Sequence, residues 1–326
     1  MTPVEQLYAP LRGHLRVVEQ EIRRMADCDE SLLRTASRHV TSGKGKRLRP
    51  AVLLMSADAC GKITPQAVAL AAIIELLHVA SLVHDDVIDE APRRRGQPSA
   101  NVRWGNKISV LVGDYLLARA FLRVSQERDA KAMQQLAAAA TCMCVGQILE
   151  ITAPGPDLTE QGYLDIAQNK TGSLYACAAA AGAILADASD DQVEALRRFG
   201  LNFGTAFQIA DDLLDILGSE QAAGKPVAGD LKQGKVTLPV IYVLQNGEQE
   251  ASRELRQVLL TGDHGQEKAA VIRSLVERGG GIEHARTVAT RLLAEARAAL
   301  SCLKDSPPRR ALEQAAGAIF LLPPAA

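Results

Sequence analysis

Apolar residues recur along this chain at three- and four-residue spacing and almost nowhere alternate with polar ones. Val4, Leu7, Leu11, Leu15, Val18 and Ile22 form one stripe with a polar opposite face, which predicts an amphipathic helix over 3–25. A shorter helix follows over 28–40, then a loop over 41–46 that holds two glycines. Pro50 opens the next helix, AVLLMSADAC, because proline is tolerated in a first turn. The run over 67–83 is apolar on every side and predicts a buried helix. Two further helices are predicted over 107–127 and 131–151. The second, AMQQLAAAATCMCVGQILEI, is small and apolar on nearly every face, which predicts a central position. After the turn-forming TAPGPDLTEQ, Thr159 is the N-cap of the next helix. A helix start at 187–191 leads into an apolar helix up to 217, and closing helices are predicted over 237–245, 249–260, 267–277, 281–302 and 307–321. No strand pattern of useful length appears. The chain is therefore read as all-α, and its 326 residues admit one large domain or two.

Two of these helices end in the same way. The buried run closes on Asp85, Asp86 and Asp89, Pro92 stops it, and Arg93, Arg94 and Arg95 follow. Asp85 and Asp89 are four apart and share a helix face. They stand at a helix C-terminus, where the macrodipole already disfavours negative charge. Carboxylates gathered there need a strong counterion, and a hard divalent cation that bridges to phosphate oxygens meets that need. The neighbouring arginines are the usual fork for phosphate. The second copy is GTAFQIADDLLDILG, ending in Asp211, Asp212 and Asp215, with Gly218 as its stop and Lys225 and Lys235 beyond. One such helix end reads equally well as a solvated acidic terminus. Two, each followed by cations, point to a metal and a diphosphate together.

Here the chain resembles the trans-type polyprenyl diphosphate synthases of the isoprenoid synthase superfamily, with octaprenyl and heptaprenyl synthases as the nearest type. LVHDDVID with Arg94, Arg95 and Gly96 matches the first aspartate-rich motif of that family, and QIADDLLD the second. GKRLRP, GNKISVLVGDYLLARAF, NKTGSL and GKPVAGDLKQGKVTLP match further blocks, so the specific likeness spans roughly 40–240. It implies a single domain over 1–326, a large helical bundle around a central cavity, and a Mg²⁺-dependent prenyltransferase. Asp85, Asp86, Asp89, Asp211, Asp212 and Asp215 would hold Mg²⁺. Lys46, Arg49, His78 and Arg95 would hold isopentenyl diphosphate, and Arg94, Lys225 and Lys235 the allylic diphosphate. Lys170, Thr171 and Gln208 would line the allylic cation. The family habit is that the departed diphosphate takes the final proton, since no strong base stands in these motifs.

Other readings of the same residues are weaker. Lys46, Arg47 and Arg49 alone would be a solvated basic turn, and His78 alone a hydrogen-bonded core histidine. Glu75 and His78 have the spacing of a di-iron bundle, but no second ExxH exists. The run over 67–83 is long enough for a membrane span, yet Glu75 and His78 interrupt it. The six cysteines lack CxxC spacing and read as small core residues of a reducing compartment. The N-terminus lacks the apolar core of a secretory signal, which favours a cytoplasmic enzyme. A net charge of −1 gives no bulk attraction to nucleic acid or anionic membrane, although the product may be handed to a membrane. The family implies a homodimer.

Ala80 and Ser81, five and four residues before Asp85, bear on product length. In short-chain relatives one of these positions often carries an aromatic plug. Both are small here, so the growing tail passes and the product is expected to exceed C20, with Phe121 or Met143 as floor candidates. A short-chain farnesyl or geranylgeranyl synthase is the alternative. A non-catalytic subunit is disfavoured by two intact motifs, and a terpene cyclase by the second DDxxD. The apolar end AIFLLPPAA replaces the basic tail of many relatives and leaves any phosphate contact from that end in doubt.

Overall fold

The computed structural model describes residues 8–43, 45–127, 129–217, 235–260 and 266–321. Helix follows helix throughout: α1 Arg12–Ala26, α2 Ser31–Thr41, α3 Leu48–Cys60, α4 Pro65–Ile88, α5 Ala100–Gln126, α6 Ala130–Ile151, α7 Glu160–Ala167, α8 Ser173–Ile184 and α9 Asp190–Leu217 come first. Then follow α10 Leu238–Asn246, α11 Gln249–Leu260, α12 Gln266–Arg278, α13 Gly281–Ala299 and α14 Pro307–Gly317. The only strands among the described residues are Arg93–Arg94 and Gln97–Pro98, paired antiparallel. Arg95 and Gly96 between them have φ of 51° and 75°, the pair of positive values that a two-residue hairpin turn requires.

Local chemistry explains the helix ends. Thr64 caps α4 by accepting from the Ala67 N–H, with Pro65 in the first turn. Thr159 caps α7 by accepting from the Gly162 N–H at 3.0 Å, as the sequence predicts. Pro50 sits in the first turn of α3, but that helix starts two residues earlier at Leu48. Gly105, with φ of 79°, kinks α5 near its start, so the regular helix resumes near the expected position. The segment over 187–217 is preceded by a separate helix, α8, that the sequence reading did not separate from its surroundings.

The central layer is α4, α8 and α9. From Ala67 to Leu77 every residue of α4 is buried, and α8 is buried from Leu174 to Ala183. A run of alanine and glycine in α8 gives it no bulk, so α3 and α9 approach it closely. A Cβ at Gly200 would stand 2.3 Å from the Tyr175 carbonyl oxygen, and one at Gly182 as close to that of Leu53. Tyr175, Phe199 and Phe203 fill the seam, with Tyr175 edge-on to Phe203 at 5.3 Å.

Helix α6 departs from the expectation of a central place. It passes a membrane span's length and hydropathy tests, as α4 does, but most of α4 is buried inside the bundle and most of α6 is not. Only Ala132, Leu136, Ala139 and Gly146 are buried in it, while Ile148 is 60% exposed and Ile151 61%. Composition sets how apolar a helix is, not which neighbours it meets. All six cysteines are free thiols, Cys144 and Cys302 exposed.

Replacing Gly200 by Ala should lower stability by about 1–3 kcal/mol, because a methyl group must enter a backbone contact. Chemical denaturation of the purified variant measures it; an unchanged midpoint would mean that the α8–α9 seam has slack.

Candidate active site

The end of α4 divides the first aspartate motif into two kinds of carboxylate. Asp85 and Asp89 line a cavity, whereas Asp86 turns inward and is 4% exposed. Arg94 answers that buried charge, donating from Nε at 2.8 Å and Nη2 at 2.6 Å to Oδ1. The hairpin after α4 delivers Arg94 there, and Asn101 donates to the Asp86 carbonyl at 3.1 Å. Burial raises the Asp85 carboxyl above the usual carboxylate range; the Lys170 ammonium works the other way and Asp89 adds to the rise.

The end of α9 repeats the division. Asp211 and Asp215 line the same cavity, and Asp212, which also reaches it, is 5% exposed. The Tyr163 hydroxyl donates to its Oδ2 at 2.5 Å and Gln208 Nε2 to its Oδ1 at 2.8 Å. Gln208 Oε1 in turn accepts from Thr171 at 2.7 Å. This chain fixes the Gln208 amide and ties α9 to a π-helical turn, Gln168–Gly172, that carries Lys170 and Thr171. The wide turn pushes its backbone against α6, where a Cβ on Gly146 would meet the Lys170 nitrogen at 2.5 Å.

Basic residues close the remaining side. Lys46 stands 5.1 Å from the Phe207 ring centroid and Arg49 4.5 Å from that of Tyr175. Arg49 Nε is buried and has no partner among the described residues. His78, half-buried on α4, is held well below its usual pKa by burial and then by Arg49, Arg95, Arg94 and Arg47. Lys46, Arg49, His78, Arg94 and Arg95 all line the cavity. Gly43 and Gly45 leave room for the Arg95 side chain, which a Cβ on either would strike.

Arg47, between Lys46 and Arg49, does something else. It is buried, has a φ of 50°, and pairs with Glu75 from Nη1 at 2.7 Å and with Glu19 through Nε. Glu75 is therefore the counterion of a buried arginine, which is why it interrupts an apolar helix. Arg47 thereby ties α1 and α4 to the loop that carries the outer cations.

The cations opposite are already paired with acids. Lys235 donates to Asp89 Oδ2 at 3.1 Å, and Lys170 pairs with Glu150 at the end of α6. Glu150 escaped the sequence reading, although an acid closing an apolar helix is the signal that found the aspartates. Tyr163 left no signal; only the fold brings it to Asp212. Lys225 lies outside the described residues, as does most of the segment over 219–237. Ser81 lines the cavity and donates to the His78 carbonyl at 2.8 Å. Ala80 does not line it: one residue's rotation, about 100° on a helix, turns it into the core at 1% exposure. Met143 lines the cavity and Phe121 does not.

The cavity measures about 1140 Å³. Its mouth is ionic; its flank along α4 and α6, from Leu82 and Ile88 to Met143, Ile148 and Ile151, is apolar. A polyprenyl synthetase family model matches residues 30–277. The chain belongs to the polyprenyl synthetase family. It is 38% identical over 311 residues to an all-trans-nonaprenyl-diphosphate synthase (geranyl-diphosphate specific) of Rhodobacter capsulatus, covering 94% of each chain. It is 35% identical to a short chain isoprenyl diphosphate synthase of Methanothermobacter thermautotrophicus, covering 93% of this chain and 94% of that one. A polyprenyl synthase of Caulobacter crescentus, solved with calcium and isoprenyl diphosphate, superposes with a TM-score of 0.93 at 32% identity, covering 99% of this chain and 98% of that one. The synthase is thus a prenyltransferase of the isoprenoid synthase fold, as the aspartate motifs imply.

Removing Glu75 alone should destabilise the synthase by about 3–5 kcal/mol, because Arg47 keeps its burial and loses its innermost partner. Glu75→Leu combined with Arg47→Met should recover most of that loss. Thermal melting of the single and double variants tests this; a double variant as weak as the single one would deny that the pair explains the burial.

Proposed function

We propose that the synthase condenses isopentenyl diphosphate with an allylic diphosphate and releases an all-trans polyprenyl diphosphate longer than C20. The observation that carries this reading is one cavity with two aspartate helix ends at its mouth and an open apolar flank below. Asp85, Asp89, Asp211 and Asp215 offer hard oxygen donors, and the inward partners of Asp86 and Asp212 support leaving those four to face the ligand. Among the described residues no three His, Cys, Asp or Glu side chains gather tightly enough to hold an ion by themselves. The remaining ligands of a bound Mg²⁺ would be water and diphosphate oxygens, as is usual for that ion. When bound, Mg²⁺ supplies charge that stabilises the leaving diphosphate.

The chain's own groups do the rest. Lys46, Arg49, His78 and Arg95 grip the isopentenyl diphosphate, with His78 kept neutral among the arginines so that it hydrogen-bonds without adding charge. Arg94, Lys225 and Lys235 take the allylic diphosphate; Lys235 must then release Asp89, which frees that carboxylate at the moment a ligand arrives. The allylic C–O bond breaks with its electron pair leaving on the diphosphate. The isopentenyl double bond attacks the allylic carbon, and a proton departs with the diphosphate to form the new double bond. Lys170, Thr171 and Gln208 border this region, held by Glu150 and by the chain of bonds to Asp212.

Chain length follows from the flank. The cavity exceeds the roughly 300–1,000 Å³ of ordinary small-molecule sites, and Ser81 leaves the path beside α4 open. The nonaprenyl relative supports a long product; the short-chain relative of comparable identity keeps the alternative in view. Outside the cavity, α5 exposes Val110 and Leu111, the latter 60%, and α6 exposes Val145 and Leu149. Such a patch on a bundle supports a homodimer closed through these two helices. Free thiols throughout support a cytoplasmic setting.

With Mg²⁺, farnesyl diphosphate and labelled isopentenyl diphosphate, the dephosphorylated products should form a ladder ending above C20, and chelation of the metal should stop it. A ladder ending at C20 or below would remove the long-chain reading. Ser81→Phe should shorten the ladder to about C15–C20, because a bulky side chain fills a close-packed path. Ala80→Phe should instead reduce folding yield, since its side chain enters the core. Leu111→Asp should shift the size-exclusion mass toward a monomer; an unchanged dimer would place the contact elsewhere.

A further inference from the structure

Gln147 lines the cavity on α6 and has no role in the account above. Its Nε2 and Oε1 are both shielded from solvent, and neither has a hydrogen-bond partner among the described residues. A buried carboxamide normally satisfies both ends, and leaving them unmade is costly. Unpaired polar groups kept at that cost mark places where a ligand supplies the missing interaction.

Position identifies which part of the ligand. One helical turn toward the mouth is Glu150, paired with Lys170 and within 3.9 Å of Lys235. One turn the other way are Met143 and Cys144, which line the apolar flank. The residue before Gln147, Gly146, packs on the Lys170 backbone and so sets the height of Gln147 against the π-helical turn. Gln147 therefore stands where the ionic mouth gives way to the hydrocarbon path. The stretch of substrate at that boundary is the allylic unit, which offers no hydrogen bond in its ground state. It becomes polar only when the C–O bond breaks and positive charge spreads over the allyl carbons.

Resting on the prenyltransferase reading, we propose that Gln147 is a catalytic residue whose amide oxygen stabilises the allylic cation. An amide oxygen presents a full dipole to positive charge and is too weak a nucleophile to capture it. Because the amide is shielded from solvent, little water must reorganise as charge develops. A carboxamide without partners among the described residues is the counterpart of that arrangement: stability is given up where function needs a bare dipole.

The test uses the full chain, Gln147→Leu, and two diphosphates bound with Mg²⁺. One is an ammonium analogue of geranyl diphosphate with a positive nitrogen at the cationic carbon. The other is the neutral, unreactive thiolo diphosphate of the same chain length. Gln147→Leu should lose about 10-fold or more in affinity for the ammonium analogue and almost nothing for the neutral one, as expected of a group that acts only on the charged state. Single-turnover condensation should slow by a similar factor with the KM for the allylic substrate unchanged, and the melting temperature should hold or rise. Equal loss on both analogues, no loss on either, or a fall in melting temperature with both affinities would overturn the assignment and make Gln147 a packing residue. A wild-type chain that binds neither analogue would overturn the reading of the site itself, and the assignment with it.

Discussion

Negative charge collected at a helix C-terminus meets repulsion from its neighbours and from the helix dipole at once. This protein does it twice around one cavity, and much of the remaining architecture follows from making that tolerable. The inner carboxylates are satisfied from behind: Asp86 by the charge of a forked arginine, Asp212 by hydrogen bonds from a tyrosine hydroxyl and a glutamine amide. Those bonds hold the helix ends rigid and leave the outer carboxylates to face the cavity. Without them six acids would compete for the same space, and the ends of α4 and α9 would splay.

The cations on the other wall present the converse problem, since arginines crowd one another. The solution is a division between one buried guanidinium and several presented ones. Arg47 is locked by Glu75 and Glu19 and spends its charge on structure, at the expense of a left-handed backbone. Arg95, also left-handed, is carried on the hairpin turn and reaches past two glycines toward the same loop. Strained positions persist only where their surroundings over-determine them. Here two of them bracket the basic wall, so its geometry is set before any phosphate arrives.

Much of this was legible in the sequence. Helix after helix announced itself by spacing, and the aspartate ends needed only their position after apolar runs to be noticed. What escaped depends on orientation. The composition of α6 predicted a central helix, yet only part of it enters the core and the rest meets the cavity or the surface, because a stripe that is apolar all round carries no direction. Ala80 and Ser81 looked equivalent as small neighbours, and a rotation of about 100° separates a core residue from a cavity residue. Glu75 looked like half of a metal motif, and its true partner stands 28 positions earlier in a loop. Tyr163 reaches Asp212 across 49 positions, and no local pattern encodes that meeting.

Helix α6 joins these threads. Its inner face borders the cavity with Gln147 and Glu150, and its exposed face is apolar enough to seek cover. Ala132, Leu136 and Ala139 seat this helix on the core beside α8, and Gly146 sets its approach to the π-helical turn. Whatever covers Val145 and Leu149 therefore also presses on the wall along which a prenyl chain would grow. In a bundle whose core is filled by α4, α8 and α9, that wall is where the surface and the hydrocarbon path share one helix, so a contact on the outside and the chain growing inside bear on the same backbone.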